Sequence, residues 1–322
     1  MNKNISIIGG GLAGLITACY FKNAEVYEAG SKVPQHRALL RFRGEEVSKL
    51  TGIPFRAVNV DKAVVYGNQT YQGRCPIDLA NMYSLKVTGR IGSRSIMKLE
   101  SATRYIAPDD FYEQLIHRVG DRVWFDHPID KPCLDSLLRD GPVISTIPMQ
   151  LMMGILEMEK HAQVPFAFER QAIKVYRFKL NVPCDVYQTI YFPAADLRTY
   201  RASITGDTAI IEMINTTPYG WSTAFNDMGQ EVAYVMGKFG VLPHMYNDED
   251  VELVDQKYGK IVDIPADIRH GVLFEMTMSH NVFSIGRFAT WRNILLDDVA
   301  EDIKQVDQLI NASDYARFKF LK

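Results

Sequence analysis

The feature that most constrains the fold is a glycine-rich stretch near the N-terminus, ISIIGGGLAGLITACYFKNAEVYEAG, at residues 5–30. Residues 5–8 form an apolar run typical of a strand, and residues 12–22 carry apolar side chains at the 3.6-residue spacing of a helix. A second short strand is predicted at residues 25–28, after a very tight connection. The order strand, glycine turn, helix, strand predicts an α/β fold.

The glycines have the spacing Gly9-x-Gly11-x-x-Gly14 and lie where the first strand gives way to the helix. In a dinucleotide-binding turn of this kind the first glycine permits the tight turn and the second lets the backbone approach a pyrophosphate. The third lets the helix pack close to the strand. The helix N-terminus, at Leu12 and Ala13, then offers free N–H groups to the phosphates. A chance glycine turn is the alternative, and the strand–helix–strand context argues against it.

Glu28 ends the second predicted strand, 19 residues after Gly9. A carboxylate at this place accepts hydrogen bonds from the adenosine ribose, and it would repel a ribose that carries a 2′-phosphate. The residues therefore favour FAD or NAD and leave the choice between them open.

Composition sets the broad class. The chain has 322 residues, of which 47% are apolar and 23% charged, and a net charge of −2, as expected for a globular protein of two compact domains or one large α/β unit. Its four cysteines are isolated, and no cysteine or histidine pair has zinc-site spacing, so we predict no metal site. No signal peptide and no apolar run of about 18 residues is found, and we expect a cytoplasmic protein without membrane contact.

The patterns along the chain predict two domains. They are of α/β type at both ends, and between residues 172 and 214 they turn to strands, with a turn signal at Gly206-Asp207. The economical arrangement is a discontinuous nucleotide-binding domain with a substrate domain inserted in two parts. We predict residues 1–58, 106–150 and 270–322 for the first domain, and 59–105 and 151–269 for the second.

The far end of the chain carries a resemblance. NVFSIGRFATWRNILLDDVAEDI, residues 281–303, resembles the C-terminal flavin motif of UDP-galactopyranose mutases and their amine-oxidase-like relatives. The resemblance implies FAD, bound by a Rossmann-like domain with a mixed sheet and helices, and an inserted α+β substrate domain with an antiparallel sheet. It implies also that a helix starting near Asp297 points its N-terminus at the flavin pyrimidine ring. The matching residues are Gly286, Arg287, Trp291, Arg292, Asp297, Asp298 and Val299.

The sequence departs from this family at two places. The family's arginine-flanked Gly-Gly pair after the ribose acid is replaced by SKVPQHRALLRFRG, residues 31–44, in which Arg37 is a candidate ligand of the FAD pyrophosphate. The tyrosine and acid that hold the sugar diphosphate in the mutases are replaced by Asn293 and the apolar residues 294–296. These departures put mutase activity in doubt and leave FAD binding intact.

The resemblance implies an FAD-dependent oxidoreductase that oxidises a substrate carbon–nitrogen bond. Lys260 and Tyr258 lie on a stretch similar to the family's flavin-facing strand, with a surface lysine and core packing as the alternatives. Arg287 is expected to pair with a substrate anion or the flavin. Arg201 faces either the substrate cleft or a cross-strand salt bridge.

A narrower prediction concerns DNA. The basic residues of two stretches, Arg37, Arg41, Arg43, Arg90, Arg94 and Lys98, suggest a surface that follows phosphates. The compact size and short loops resemble those of a phage-encoded flavoprotein. This resemblance suggests the phage FAD-dependent lyase that removes the glycyl group from a hypermodified thymidine base, and it implies that the protein acts in the host cytoplasm. The alternatives are a redox-neutral, mutase-like enzyme acting on a nucleotide sugar and a flavin-binding protein without turnover.

Overall fold

The computed structural model describes residues 4–32, 40–93, 95–158, 168–214, 223–225, 227–247, 251–262 and 264–321, with the side chains of residues 95, 170–172 and 254–260 left aside. Within these ranges the strands are β1 Ser6–Ile8, β2 Glu25–Tyr27, β3 Arg41–Phe42, β4 Arg56–Tyr66, β5 Gln69–Tyr71, β6 Gly73–Arg74, β7 Lys98–Leu99, β8 Ala102–Ile106, β9 Val123–Trp124, β10 Val143–Ser145, β11 Arg170–Lys179, β12 Val186–Tyr191, β13 Thr199–Gly206, β14 Thr208–Ile214, β15 Glu252–Ile261 and β16 Val282–Ser284.

The α-helices of the described ranges are α1 Leu12–Tyr20, α2 Glu46–Thr51, α3 Ile77–Thr88, α4 Phe111–Val119, α5 Lys131–Asp140, α6 Met149–Ile155, α7 Met228–Gly237, α8 Ala266–His280, α9 Leu296–Asn311 and α10 Asp314–Leu321. Short 3₁₀ turns lie at Ser95–Met97, Gly120–Arg122 and Pro243–Met245. None of these helices is long and apolar enough to cross a membrane.

The chain divides into two compact units. Unit 1 comprises Met1–Arg56, Tyr105–Glu169 and Ile261–Lys322, and unit 2 comprises Ala57–Arg104 and Arg170–Lys260. The prediction places residues 151–158, 168–169 and 261–269 in the inserted domain, whereas the described residues of these stretches belong to unit 1. The reason is α6, whose Met152 side chain is buried in the same apolar cluster as Trp291.

Unit 1 is built on a five-stranded sheet in the order β16-β10-β1-β2-β9. Its pairs, where a mixed sheet was expected, are all parallel. The N-terminal piece supplies the central strands, the middle piece supplies β9 and β10, and the C-terminal piece supplies β16. The carboxyl ends of these strands therefore gather at one edge, which is where ligands bind to open α/β sheets.

Helices cover both faces of this sheet. Ile7 of β1 packs in a cluster with side chains of α1, α4 and α9, while its neighbour Ile8 packs in a second cluster with side chains of α5, α6 and α8. Successive residues of a strand point to opposite faces, and burial of both explains why the strand residues of this sheet are apolar without alternation.

Unit 2 contains an antiparallel arrangement of β11, β12, β13 and β14, to which β4 adds in parallel beside β12. β13 and β14 are joined at the predicted turn, where Gly206 takes a positive φ of 60° that suits glycine. α7 packs on the sheet through Val235 and Met236. The predicted fold class, an α/β domain with a separate antiparallel sheet, is confirmed.

Candidate functional site

The glycine turn after β1 has the geometry that each glycine requires. Gly9 has a φ of +105°, and its N–H donates to the Tyr27 carbonyl at 2.9 Å. A Cβ on Gly14 would lie 1.9 Å from the Gly9 carbonyl oxygen, so that no side chain fits between helix and turn. A Cβ on Gly11 would meet nothing within 4 Å, which leaves open space at the position expected to face a pyrophosphate.

The N-terminus of α1 has no capping side chain. Gly11 is its N-cap, with an extended backbone and no side-chain cap, and its first turn, from Leu12 through Ala13 to Gly14, contains no acidic residue. The first amides of an α-helix have no carbonyl partner within the helix, and the helix dipole adds partial positive charge there. The turn therefore presents the donors that a phosphate group needs.

Glu28 is held at the carboxyl end of β2. Its Oε2 accepts the N–H of Gly10 at 2.7 Å, and its Oε1 accepts the N–H of Gly30 at 2.9 Å. Each carboxylate oxygen can accept more than one hydrogen bond, so acceptor capacity remains for the hydroxyls of a ribose. The half-buried carboxylate is thus fixed beside the glycine turn, where the sequence predicted the ribose acid.

The C-terminal glycine motif lies against the N-terminal one. Gly286 follows β16, has a φ of +91°, and would place a Cβ 3.0 Å from the Cβ of Ala13 in the first turn of α1. Parallel pairing of β16 with β10, and of β10 with β1, brings the ends of these strands to one edge. Two motifs more than 270 positions apart in the chain, Gly9–Gly14 and Gly286-Arg287, therefore form one surface.

Arg287 closes its own loop. Its Nε and Nη2 donate to the Ile294 carbonyl at 3.0 and 2.8 Å. This bond ties the turn after β16 to the residues that precede α9. The contact of Arg287 with a substrate anion or the flavin stays a prediction. The observed contact of Arg287 with the Ile294 carbonyl could not be predicted from the spacing of the residues.

Asp302 of α9, which the sequence analysis missed, anchors the same loop. It is 6% exposed, and both its oxygens lie 2.5 Å from Nη2 of Arg292. Burial raises the pKa of this carboxyl above its usual range, against the opposing effect of Arg292. The sequence does contain one signal for Asp302, since this acid occupies one of the apolar-face positions of an amphipathic helix, where an acid is rarely buried without a partner.

The acids that open α9 bind the chain segment after β3. Asp297 Oδ1 accepts the N–H groups of Arg43 and Gly44 at 2.6 and 3.2 Å. Asp298 caps the helix by accepting the Leu295 N–H at 2.8 Å, and its other oxygen lies 2.6 Å from Nη2 of Arg43. The predicted helix start is correct to one residue.

The remaining predicted residue of this motif, Val299, contributes to packing. Its side chain is 2% exposed and belongs to the cluster on the α1 face of the sheet. Trp291, matched by the same motif, is fully buried, and its Nε1–H donates to the Val262 carbonyl at 3.0 Å. Both side chains therefore fix the loop and helix on the sheet.

Arg201 lies in unit 2 and makes the cross-strand contact that the sequence left open as an alternative. It faces Glu212 across β13 and β14, with Nε bonded to Oε2 and Nη2 2.7 Å from Oε1. The Tyr200 hydroxyl donates to the same Oε1 at 3.0 Å. Burial, with the Glu212 charge beside it, raises the pKa of Tyr200 well above its usual range.

Several predicted residues lie outside what the structure describes. Arg37 and Arg94 are outside the described ranges, and Tyr258 and Lys260 lie on β15 among residues whose side chains are not described. The basic residues that are described divide between the units: Arg41 and Arg43 belong to unit 1, and Arg90 and Lys98 to unit 2.

Unit 2 also contains a buried lysine. Lys86 of α3 is fully buried, and its Nζ donates to the carbonyls of Phe192, Ala194 and Thr199 at 2.9, 2.8 and 2.6 Å. Glu231 of α7 accepts the N–H of the same Thr199 at 2.6 Å. These charged groups join two helices to the sheet.

The site as a whole fits an adenosine dinucleotide. The open space at Gly11, the acid-free start of α1 and the fixed Glu28 carboxylate meet the needs of a pyrophosphate and a ribose. The Gly286 turn lies against the first turn of α1 and adds a second protein surface there, which a glycine turn alone does not provide. Among the described residues, no group of three or more metal-binding side chains converges.

Comparison with known proteins supports the fold. No protein-family model matches the chain, and a search of curated proteins finds no match. A solved structure of reduced UDP-galactopyranose mutase matches with a TM-score of 0.64 at 12% identity, over 97% of this chain and 95% of that one. A CLA-producing fatty acid isomerase from P. acnes matches with a TM-score of 0.60 at 12% identity, over 95% and 98% of the two chains. A double mutant of putrescine oxidase, from a redesign of its cofactor binding, matches with a TM-score of 0.59 at 9% identity, over 96% and 99%. The chain therefore shares a fold with these proteins along almost its whole length.

Proposed function

We propose that this chain is an FAD-dependent oxidoreductase that oxidises a carbon–nitrogen bond of its substrate. The observation that carries the proposal is the contact of the Gly286 turn with Ala13, which joins the C-terminal motif to the N-terminal cradle. The proposal agrees with the fold, which is shared with putrescine oxidase and with a mutase studied in its reduced form.

The residues of unit 1 would divide the work of binding. The backbone at Gly11 and the first amides of α1 would hold the pyrophosphate, and Glu28 would accept the ribose hydroxyls. By the family resemblance, the N-terminus of α9 would face the flavin pyrimidine ring, where a helix dipole favours negative charge. FAD, when bound, would supply the two-electron oxidation of an amine to an imine, and the residues of unit 1 would position it.

The polar contacts of the Gly286 turn give it a positioning role. Arg287 fixes the turn through the Ile294 carbonyl, and Asp302 fixes the loop that follows it through Arg292. We propose Lys260 and Tyr258 of β15 as the residues nearest the reacting bond, on the resemblance of their stretch to the flavin-facing strand.

The narrower proposal is a substrate amine carried on a DNA base, the glycyl group of a hypermodified thymidine in phage DNA, with the protein acting in the host cytoplasm. Exposed basic residues such as Arg90 and Lys98 support contact with phosphates. The target base would have to leave the base stack to reach a flavin.

Anaerobic mixing tests both levels of the proposal. The purified protein should show flavin absorbance, and an amine substrate should bleach it in the absence of oxygen. A panel of free amines beside glycyl-modified and unmodified DNA separates the general activity from the narrower one. Bleaching by a free amine but by neither DNA would reject the DNA substrate, and a protein that takes up no FAD would reject the whole proposal.

A second candidate is a redox-neutral enzyme acting on a nucleotide sugar, favoured by the fold match to UDP-galactopyranose mutase. The apolar residues 294–296, where the mutases hold the sugar diphosphate, argue against it. Turnover of a UDP-sugar only after reduction of the flavin would favour this candidate. Flavin binding with neither bleaching nor turnover would favour a flavin-binding protein without catalysis.

A further inference from the structure

A tryptophan stands exposed at the edge of the site. Trp124 ends β9, pairs in register with Tyr27 at the end of β2, and is 47% exposed. Tryptophan is usually well buried, because its large ring gains much from leaving water. Its exposure at the carboxyl edge of a parallel sheet, where ligands bind, calls for a partner.

Two further rings surround it. His127 lies with its ring centroid 6.3 Å from that of Trp124 and 5.5 Å from that of Tyr27. The chain reaches this position through a sharp turn at Asp126, a non-glycine residue with a φ of +53°. A left-handed residue costs backbone strain, which a structure accepts where a particular placement is needed. We call Tyr27, Trp124 and His127 the aromatic cluster.

Main-chain hydrogen bonds fix the aromatic cluster to Glu28. The Glu28 N–H donates to the Trp124 carbonyl at 2.8 Å, and the His127 N–H donates to the Glu28 carbonyl at 2.9 Å. The Asp126 N–H donates to the Gly30 carbonyl at 3.0 Å, which extends the connection past the ribose acid. The rings thus stand on the strand end beside the carboxylate.

The hydroxyl of Tyr27 is turned to a neighbour on its own strand. It donates to Glu25 at 2.7 Å, and burial together with this bond raises the pKa of Tyr27 to about 12. The ring therefore stays neutral over the ordinary pH range and offers its face as an apolar surface.

We propose that the aromatic cluster is the binding surface for the adenine base, with Trp124 as its main stacking residue. The proposal rests on the proposed function, since it assumes an adenosine dinucleotide whose ribose is held by Glu28. The adenine base is bonded directly to the ribose, so it must lie close to the Glu28 carboxylate that accepts the ribose hydroxyls. Every nucleobase presents a π-face, and an exposed indole is well suited to stack on it.

Affinities for FAD and FMN, measured with the full-length protein freed of bound nucleotide, test the proposal, because FMN lacks the adenosine. We expect Trp124→Ala to weaken FAD binding by about 5- to 150-fold, as found for loss of one base–aromatic stack. FMN affinity should not change. Trp124→Phe should retain most of the FAD affinity, since it keeps a ring. Tyr315→Ala, which removes another exposed aromatic of unit 1, serves as the control and should change neither.

Three results would overturn the proposal. Unchanged FAD affinity in Trp124→Ala would show that the indole does not contact the base. An equal loss of FAD and FMN affinity would show that Trp124 supports the fold alone. In both cases the wild-type protein still binds FAD, and the proposed function stands. A wild-type protein that binds neither nucleotide would overturn the proposed function together with the stacking.

Discussion

Charged side chains have different roles at the glycine turn and start of α9 in unit 1 and in the interior of unit 2. In unit 1, Glu28 and Asp298 each accept a main-chain N–H at the end of a strand or the start of a helix. In unit 2, Lys86 and Glu231 lie inside the fold and bond to carbonyl and amide groups of the sheet and its connections.

This difference distinguishes charged groups that can bind a ligand from charged groups that only stabilise the fold. A carboxylate that fixes a loop at a sheet edge keeps acceptor capacity for a ligand, as Glu28 does beside the glycine turn. A buried ammonium that is surrounded by three carbonyls stabilises the fold and has no capacity left for chemistry. Substitution of Glu28 should therefore affect cofactor binding more than stability, and substitution of Lys86 should affect stability alone.

The largest effect on stability is expected from Lys86→Met. The substitution keeps the volume and leaves three buried carbonyls without their donor, which should lower the free energy of unfolding by about 3 kcal/mol. Chemical denaturation measures the loss, and the FAD affinity of the folded protein should not change. Lys98→Met, which removes an exposed lysine of the same unit, should stay within about 0.5 kcal/mol. A loss in Lys86→Met no greater than this control would contradict the comparison.

Asp302→Ala should come next, with an effect on both stability and binding. It leaves Arg292 without its acceptor, and we expect a loss of about 2 kcal/mol. Arg292 belongs to the loop that begins at Gly286, and because Gly286 lies against Ala13, FAD affinity should fall as well. An Asp302→Ala protein that loses stability and keeps full FAD affinity would show that the Gly286 turn does not contribute to FAD binding.

The raised pKa of Asp302 gives this position a pH dependence. A carboxyl whose pKa is raised in the folded state binds protons more tightly there than in the unfolded chain. Its contribution to stability is therefore present at low pH and lost as the pH rises from the ordinary value of 3.8 through the raised pKa. The stability difference between wild type and Asp302→Asn should shrink over that range, and a difference that grows would contradict the sign.

Glu28→Gln should affect binding more than folding. The amide keeps the shape but loses the charge that strengthens the bonds to Gly10 and Gly30, at a cost of about 1 kcal/mol. FAD affinity should fall about tenfold, since ribose hydroxyls lose a charged acceptor. Fluorescence titration with FAD measures the change. An FAD affinity equal to that of the wild type would show that Glu28 does not contact the bound nucleotide.

The smallest effect is expected from Arg201→Met. The ion pair with Glu212 is partly exposed and cross-strand, and such pairs contribute about 0.2–1 kcal/mol. Flavin reduction by substrate should proceed at the wild-type rate. A large fall in that rate with unchanged stability would instead restore Arg201 as a catalytic residue.

The sequence predicted what depends on local patterns. Strand, glycine spacing and helix periodicity act over about 25 residues, and the βαβ unit with Glu28 at its end is present as expected. The partners of Arg287 and Arg201 depend on loop closure and strand register, which bring together residues with no sequence signal for each other. Lys86 was missed because a lysine in a helix is ordinarily exposed, and only the fold places carbonyls around it.

The most direct test of the site is the FAD content of wild type and Gly11→Ala after saturation with FAD and gel filtration. A methyl group on Gly11 meets no protein atom within 4 Å, so the substitution should change stability by no more than about 1 kcal/mol. The methyl would stand where the pyrophosphate approaches, and FAD affinity should fall at least about tenfold. We predict one FAD for each wild-type chain and a colourless, folded Gly11→Ala protein. A wild-type chain that retains no FAD, or a Gly11→Ala chain that retains as much as wild type, would contradict the account.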